Sequence, residues 1–560
     1  MKLKLLLNTF ILTIPMWVMA QSAAPPENWQ HLDKLADGYM GVSSEQTYNN
    51  LLKGKESVPV VVAVIDGGVD YMHEDLKDVM WHNPGEIPDN NIDDDGNGYV
   101  DDVYGWNFIG GKDGKNVHQD QLEITRLVAW YKTRFDGVDR DKLSKKEKKE
   151  YDRYMKLKET VEEEHHKAEN NMKMYTGILE SVNKVLEQIG KEEPTSEDLS
   201  NFESTDPSLI QASKILASMV DDGATIEEVK EQIQGGIDYF GSQANYHYNV
   251  DLNVRTIVGD NYDNSYERNY GNKDVKGPDA SHGTHVAGII GATRGNGVGM
   301  DGIADNVQIM AIRCVPDGDE RDKDVANAII YAVDNGASII NMSFGKGYSW
   351  DKEAVDKAVR YAEKHDVLLV HAAGNSHQNN DVEPNYPNDK YQKRGLFGPK
   401  KAKNWIEVGA LSWKGGEDAA ATFSNYGKEN VDLFAPGVAI YSTTPENNYA
   451  KFQGTSMASP VVAGVAAMLR SYYPDLTARQ VKDILMSTTV RSKDMEKVKL
   501  PGGDGKVVPF TDLCVTGGVV NAFEAVKKAE TVKGKKKGKK GGKGYNGGGK
   551  APKSKKSPRV

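Results

Sequence analysis

The sequence predicts an α/β protein whose parallel β-sheet is covered by helices on both faces. Continuous apolar runs rich in β-branched residues lie at 58–65, 307–315, 338–342, 367–373 and 405–410. Such runs are typical of strands buried on both faces of a parallel sheet. Stretches with helical patterns, at 325–335 and 350–365, alternate with them. Alternating strands and helices predict a parallel sheet, because each crossover helix packs back onto the sheet.

The chain has 560 residues, more than the ~250–300 that one hydrophobic core usually supports. We therefore expect one large domain with additions. The predicted boundaries are a signal peptide at 1–20, an N-terminal arm at 21–57, the sheet domain at 58–112 and 275–530, a helical insertion at 113–274, and a disordered Lys/Gly-rich tail at 531–560.

The insertion is predicted to be helical because its composition and its helix-start signals differ from those of the sheet domain. Residues 143–191 are rich in Lys and Glu and contain few Gly or Pro. Ser144 with Glu147, and Thr225 with Glu228, have the spacing of capping boxes, which open helices. A segment this long is expected to have folded structure of its own.

The N-terminus has the pattern of a secretory signal peptide. Lys2 and Lys4 precede an apolar stretch at 5–19, and Val18-Met19-Ala20 is a small-residue cleavage pattern. The alternative is a membrane anchor, but the stretch is shorter than the ~20 apolar residues that span a bilayer. We expect an exported protein, periplasmic or extracellular, with association with the cell surface left open.

Charge is unevenly distributed along the chain. The net charge is −11, and the tail at 531–560 contributes +12, which leaves −23 on the preceding residues. An acidic body argues against nucleic acid as the main partner. The tail is interpreted as a solvated segment or as a contact with an anionic surface.

Two cysteines, Cys314 and Cys514, are too few for a disulfide framework. Cys314 lies in an apolar run and is expected to be a small buried side chain, although a bridge between the two thiols stays open.

Three motifs contain residues suited to nucleophilic catalysis. Gly454-Thr-Ser-Met-Ala-Ser-Pro460 precedes an apolar helix, so Ser456 would lie where unpaired N–H groups and the helix dipole stabilise negative charge. A serine that only caps the helix is the alternative for this motif alone.

The other two motifs contain a histidine and an aspartate. Ser281-His-Gly-Thr-His-Val-Ala-Gly288 would place His282 at the start of a buried helix, and a metal site with His285 lacks the intervening Glu of zincins. Asp66, in Ile65-Asp-Gly-Gly-Val-Asp70, follows the first strand, where α/β sheets place their sites. Alone, it is also compatible with a simple turn.

With these motifs in the order Asp, His, Ser, the chain resembles the subtilisin-like (subtilase) family of serine peptidases. The resemblance rests on Val-Ile-Asp66-Gly-Gly, His282-Gly-Thr-His-Val-Ala-Gly, Ala-Ala-Gly-Asn375 and Gly-Thr-Ser456-Met-Ala-Ser-Pro, and it covers residues 57–112 and 275–530. It implies a subtilisin-like fold and a serine endopeptidase that forms an acyl-enzyme, with Asp66, His282 and Ser456 as its triad.

The resemblance implies further site residues. Asn375 matches the asparagine whose amide donates to the oxyanion. Ser343, Phe344 and Gly345 match the segment that pairs with the substrate backbone as an added strand, and Ala372, Ala373 and Gly374 would line the pocket for the side chain before the scissile bond. The implied partners are protein or peptide substrates, and the chemistry needs no cofactor.

This sequence departs from the family pattern at two positions. The residue after the family aspartate is usually Ser or Thr, but Gly67 stands there and offers no hydroxyl. His282 lies 216 residues after Asp66 because of the insertion, which would be a lid, an exosite or a spacer.

A structural calcium site is predicted in the acidic segment 91–102. Oxygen-bearing side chains lie at positions 1, 3, 5, 7 and 12 of a twelve-residue loop, with Gly96 at the turning position, which resembles an EF-hand-type loop. The predicted ligands are Asn91, Asp93, Asp95, Asn97 and Asp102. The alternative is a solvated acidic turn.

The leading functional hypothesis is an exported endopeptidase. The alternative is a subtilisin-like binding or maturation module with weak or no proteolysis, and the basic tail alone would favour an adhesin. A triad with Asn375 favours the enzyme, because a binding module has no use for these groups.

Overall fold

The computed structural model describes residues 24–393 and 398–535. The expected signal peptide at 1–20, the first residues of the expected arm at 21–23 and most of the expected tail, at 536–560, lie outside the described residues.

The described strands form one large sheet and two small ones. In chain order they are β1 Val60–Asp66, β2 Gly105–Asn107, β3 Val307–Arg313, β4 Ile339–Met342, β5 Leu368–Ala372, β6 Trp405–Leu411, β7 Leu433–Pro436, β8 Ile440–Thr444, β9 Asn448–Phe452, β10 Lys497–Lys499 and β11 Val507–Pro509.

The large sheet has seven strands, all parallel, in the order β2-β3-β1-β4-β5-β6-β7. The predicted parallel sheet is therefore confirmed, and the five apolar runs became β1 and β3–β6. Two of its strands, β2 and β7, were not predicted, since neither contains the β-branched residues that marked the predicted runs. β8–β9 and β10–β11 are separate antiparallel pairs.

The helices surround this sheet and form the segment between β2 and β3. They are α1 Lys34–Asp37, α2 Ser44–Thr47, α3 Glu123–Phe135, α4 Lys145–Ile189, α5 Ser196–Ser200, α6 Pro207–Asp221, α7 Ile226–Ser242, α8 Arg255–Val258, α9 Ser281–Gly291, α10 Asp322–Asp334, α11 Lys352–Lys364, α12 Thr455–Tyr472, α13 Ala478–Ser487 and α14 Ala522–Thr531.

Each face of the sheet has its own hydrophobic core. Successive residues of a strand point to opposite faces, so Val62 and Val64 of β1 lie in one core while Ala63 and Ile65 lie in the other. The first core contains residues of α9 and α12, and the second contains residues of α10 and α11. This double burial explains why β1 is continuously apolar.

The residues between β2 and α9 form helices α3–α8, as the composition predicted. α4 has 45 residues and spans about 67 Å at 1.5 Å per residue. Ser144 and Glu147 form the predicted capping box at its start, and Thr225 and Glu228 form the one that begins α7. Val182, Leu216 and other apolar residues of α4–α7 form a separate small core.

The residues before β1 pack on the large sheet domain. The Trp29 side chain is fully buried in the first core, and its indole Nε1 donates to the backbone oxygen of Val438 at 3.1 Å. Cys314 and Cys514 are both buried free thiols, so the bridge that the sequence left open is not formed. Among the described helices, none is both long and apolar enough to cross a membrane.

Candidate active site

The predicted site residues meet at the carboxyl ends of three adjacent strands. β1 ends at Asp66, Ser343 follows β4, and Asn375 lies three residues after β5. Since β1, β4 and β5 are neighbours in the sheet, the loops that follow them share one edge. α/β sheets bind their ligands at this edge, so the placement agrees with the sequence prediction.

The carboxylate of Asp66 holds the imidazole of His282. Asp66 Oδ1 accepts a hydrogen bond from His282 Nδ1 at 2.8 Å and another from the Gly67 backbone N–H at 2.8 Å. Asp66 is only 3% exposed, whereas the His282 side chain is 43% exposed and therefore open to solvent. The contact fixes the ring and leaves Nε2 as its reactive nitrogen.

The two oxygens of this carboxylate differ in their contacts. Asp66 Oδ2 is buried and makes no hydrogen bond to any described residue. Gly67, which has no side chain, offers this oxygen no side-chain donor. A buried unsatisfied oxygen usually costs about 1–3 kcal/mol, more when charged.

Gly283 allows helix α9 to approach the loop after β1. A Cβ on Gly283 would lie 2.1 Å from the backbone oxygen of Gly68 and 3.1 Å from the Cβ of Asp66. Any side chain at this position would push the helix start away from the carboxylate. The Gly that follows His282 is therefore a geometric requirement of the Asp66–His282 contact.

Two opposing effects act on the pKa of His282. Partial burial of the ring lowers this pKa, but the charge of Asp66 and its hydrogen bond, with a smaller contribution from Asp279, raise it above its ordinary value of 6.5. The carboxylate thus stabilises the imidazolium, which is the form that would exist after the ring accepts a proton.

Ser456 is the second residue of α12, at the helix start that the sequence predicted. Its hydroxyl donates to the backbone oxygen of Ser343 at 3.1 Å, and the Ser343 hydroxyl donates to the backbone oxygen of Ser456 at 2.9 Å. Within the described part of the chain, Ser456 makes no hydrogen bond to His282. The carboxylate and the ring are therefore in contact, while the hydroxyl points to Ser343.

The side-chain amide of Asn375 lies against the start of α12. Its Oδ1 accepts from the backbone N–H and from the hydroxyl of Thr455, both at 2.9 Å. A Cβ on Gly454 would lie 3.3 Å from Asn375 Nδ2 and 3.5 Å from the backbone nitrogen of Ser456. Two donors therefore border one small space that exists because residue 454 has no side chain.

Two predicted substrate-binding segments contact the start of α12, and we call the space between them the groove. One is Ser343–Gly345, which we name the substrate edge, and the other is Ala372–Gly374. A Cβ on Gly345 would lie 2.6 Å from Asn385 Nδ2, and one on Gly374 would lie 3.6 Å from the same atom. Asn385 also donates to the backbone oxygens of Ala372 and Ala373, at 3.2 Å each. Its side chain therefore lies between the two segments.

Sequence analysis missed Asn385 because the segment that contains it has no periodic pattern. It also missed Asn425, whose Nδ2 donates to the backbone oxygen of Ala373 at 3.0 Å and whose Oδ1 accepts from the backbone N–H groups of Ser376 and Gln378. These bonds fix the loop that holds Asn375. No local signal in the sequence links residue 425 to this loop.

His285 has a structural environment. It is fully buried, its Nε2 contacts the backbone oxygen of Ala450 at 3.0 Å, and its ring stacks on Phe452 at 4.3 Å. Burial lowers the pKa of His285 to about 3, so the ring stays neutral. Its surroundings favour a core histidine over the metal ligand that the sequence considered.

The acidic segment brings together only part of the predicted calcium ligands. Carboxylate oxygens of Asp95, Asp102 and Glu86 lie within 4.8 Å of one another, and Glu86 was not predicted because it precedes the loop. Asp93 lies outside this group and uses both oxygens to accept backbone N–H groups, from Asn97 and Gly98.

The predicted ligand Asn97 turns its nitrogen toward the carboxylates. Its Nδ2 donates to Asp95 at 3.1 Å and to Asp102 at 3.0 Å. The backbone N–H of Asn91 donates to Asp101 at 3.0 Å. Burial, together with the charge of Asp95, raises the pKa of Asp102 to about 7. Three close carboxylate oxygens fit a hard cation such as calcium, which binds oxygen ligands.

Comparison with known proteins places these residues in a family. The model of the subtilase family matches residues 58–508. A thermophilic serine proteinase of Bacillus sp. (strain AK1) is 39% identical over 241 residues, which cover 43% of this chain and 51% of that protein. Subtilisin DY of Bacillus licheniformis is 39% identical over 216 residues, which cover 38% of this chain and 72% of that protein.

Among solved structures, a protease of Pseudoalteromonas arctica PAMC 21717 aligns over 46% of this chain and 78% of that one, with 29% identity and a TM-score of 0.37. The chain spans about half the length of the thermophilic serine proteinase. The family match covers most of the chain and contains Asp66, His282, Asn375 and Ser456. On this match, the chain belongs to the subtilase family.

Proposed function

We propose that the chain is an exported serine endopeptidase that cleaves peptide bonds through Asp66, His282 and Ser456. The observation that carries the proposal is the hydrogen bond between Asp66 and His282. Helix α9, which bears His282, packs in the same core as α12, which bears Ser456. The resemblance to serine proteinases of the subtilase family supports the same reaction. The signal-peptide pattern at 1–20 supports export.

Proton transfer is the first step of the proposed reaction. His282 Nε2 takes the proton of the Ser456 hydroxyl while Ser456 Oγ forms a bond to the peptide carbonyl carbon. For this step the hydroxyl must turn from the Ser343 oxygen to the ring, and catalytic hydrogen bonds often tighten only when substrate is bound. Asp66 keeps Nδ1 protonated and stabilises the imidazolium.

The developing oxyanion would lie beside Gly454, between Asn375 Nδ2 and the backbone N–H of Ser456. Both donors already border this space. When the intermediate collapses, the C–N bond breaks and His282 gives its proton to the leaving amine. A water molecule then attacks the acyl-enzyme by the same route, and Ser456 is regenerated.

The proposed substrates are extended protein or peptide segments. Gly345 is exposed, and the backbone N–H groups of Phe344 and Gly345 donate to no described residue. An extended peptide can pair with such an edge as an added strand. Asn385 would form the end of the pocket that receives the side chain before the scissile bond, and it would shorten that pocket. We also propose that the domain boundaries are those predicted from the sequence, with the peptidase domain at 58–112 and 275–530 and the helical insertion at 113–274.

The first prediction concerns the nucleophile. A fluorophosphonate probe should label the protein at Ser456, and the Ser456→Ala variant should lose both labelling and peptide hydrolysis, since Ser456 supplies the proposed nucleophile. Intact-mass measurement and peptide mapping would locate the label. The control is Ser459→Ala, one turn further along α12, where the hydroxyl is buried against Asn341. Labelling that persists in Ser456→Ala would exclude Ser456 as the nucleophile, and a parent that is not labelled would leave the binding-module alternative.

The second prediction concerns the oxyanion donor. The Asn375→Ala variant should lower kcat by about 10²–10³-fold with little change in KM, a magnitude known from subtilisin for one such donor. The amide acts on the oxyanion, which forms only after the substrate is bound. Steady-state kinetics with a chromogenic peptide would measure the effect. A kcat within twofold of the parent value would show that Asn375 does not act on the oxyanion.

The third prediction concerns calcium, which we propose as a structural ion held by Glu86, Asp95 and Asp102. A chelator should lower the thermal midpoint of the parent, because a bound ion stabilises only the folded state. The Asp102→Asn variant should no longer respond, whereas Asp93→Asn should still respond because Asp93 lies outside the group. A parent midpoint that the chelator leaves unchanged would refute the site.

A further inference from the structure

The residue directly after the substrate edge, Lys346, has a completely enclosed ammonium group. Its side chain is 1% exposed. Its Nζ contacts Glu123 Oε2 at 2.7 Å, Asp322 Oδ1 at 2.8 Å and the backbone oxygen of Glu320 at 2.6 Å. Burial lowers the pKa of Lys346, but the charges of Asp322 and Glu123 outweigh burial and raise it, so the group stays charged. These contacts use its three N–H donors.

The acidic partner Glu123 is supplied by the helical segment, which we define as residues 113–274. Glu123 is the first residue of α3, its side chain is 0% exposed, and it also accepts a hydrogen bond from Arg126 at 2.8 Å. Its backbone N–H donates to Asp319 at 2.7 Å. The first turn of α3 is therefore tied both to Lys346 and to the loop that follows β3.

Backbone bonds and a second buried ion pair reinforce this junction. The Asp120 N–H donates to the backbone oxygen of Asp317, and the Asp317 N–H donates to that of His118, each at 2.8 Å. The Asp120 carboxylate takes two hydrogen bonds from Arg321, at 2.7 and 2.8 Å. A two-pronged, buried contact of this kind is strongly directional.

The backbone of Lys346 pairs with the segment that contains Asn385. Its backbone N–H and oxygen exchange two hydrogen bonds with Tyr386, each at 2.9 Å, next to Asn385. Further along the chain, Trp350 packs edge-on against Trp130 of α3, with ring centroids 6.1 Å apart. Lys346 thus joins the helical segment to the groove.

From these contacts we infer that the helical segment positions the substrate edge, with Glu123 and Lys346 as positioning residues for peptide binding. The inference rests on the proposed function. In this role the beginning of the helical segment holds the substrate edge in place from behind. It does not cover the site as a lid would. Because Lys346 follows Gly345 directly, a shift of its ammonium group would move the backbone with which an extended peptide pairs. A misplacement of about 1 Å can slow catalysis by about 10²-fold.

The test is the Glu123→Gln variant, which keeps the shape of the side chain and removes its charge. The measured quantities are kcat/KM for a peptide with four residues before the cleaved bond and for a single-residue ester, together with the rate of fluorophosphonate labelling. We expect kcat/KM for the peptide to fall about tenfold or more, mainly through KM. The ester and the probe do not pair along the edge, so their rates should stay within about twofold of the parent values.

The matched control is Asp260→Asn. Asp260 also lies in the helical segment, its side chain is 0% exposed, and it pairs with the buried Lys323 on α10 instead of with the substrate edge. We expect a lower thermal midpoint for this variant with equal effects on peptide and ester. Should Glu123→Gln unfold, the double variant Glu123→Gln/Lys346→Met, which removes the buried ammonium group, replaces it, with the same selective loss expected.

The inference would be overturned if kcat/KM for the peptide and for the ester changed by the same factor in the Glu123 variants. It would also be overturned if Asp260→Asn showed the same peptide-selective loss. In either case the parent would still be labelled at Ser456, so the proposed function would stand. A parent that is neither labelled nor active would overturn the proposed function and the inference with it.

Discussion

The hydrogen bond between Asp66 and His282 is the contact on which the rest of the account depends. It joins two side chains that lie 216 residues apart in sequence. Each partner is held by a different part of the fold, since Asp66 ends a strand buried in both cores and His282 opens a helix packed in one of them. Gly283 makes the approach possible, because a side chain there would collide with the loop after β1.

The long helical segment leaves this contact intact because it begins and ends at the edge of the sheet. It departs after β2, which is the terminal strand beside β3, and the chain returns to α9 and then to β3. The order of the central strands is therefore the same as if the segment were short. Its first helix, α3, reaches the loops after β3 and β4 through Glu123, so the added residues contact the groove instead of lying apart from it.

The sequence predicted the elements that have a strong local signal. β1 and β3–β6 are long apolar runs, the capping boxes at Ser144 and Thr225 carry their own pattern, and the motifs around Asp66, His282 and Ser456 lie at the strand and helix ends where they were expected. Parallel sheets bury both faces of a strand, so these strands are continuously apolar and could be recognised from the sequence.

What could not be predicted depends on contacts between distant residues. Glu86 joins Asp95 and Asp102 from outside the loop pattern, and Asn385 enters the groove from an irregular segment. Glu123 looks like an ordinary first-turn acid of a helix, yet its partner is Lys346, 223 residues away. The direction of the Ser456 hydroxyl, toward Ser343, is a side-chain rotamer that no sequence pattern encodes.

The most direct test of the account is the pKa of the His282 ring, measured by NMR titration of histidine-labelled protein. Proton transfer requires a neutral ring, so activity should be lost as the pH falls through this pKa. In the parent, Asp66 outweighs burial and the pKa should lie above 6.5. In Asp66→Asn only burial and the smaller contribution of Asp279 remain, and the pKa should fall below that of the parent. An equal or higher pKa in Asp66→Asn would contradict the claim that this carboxylate controls the base.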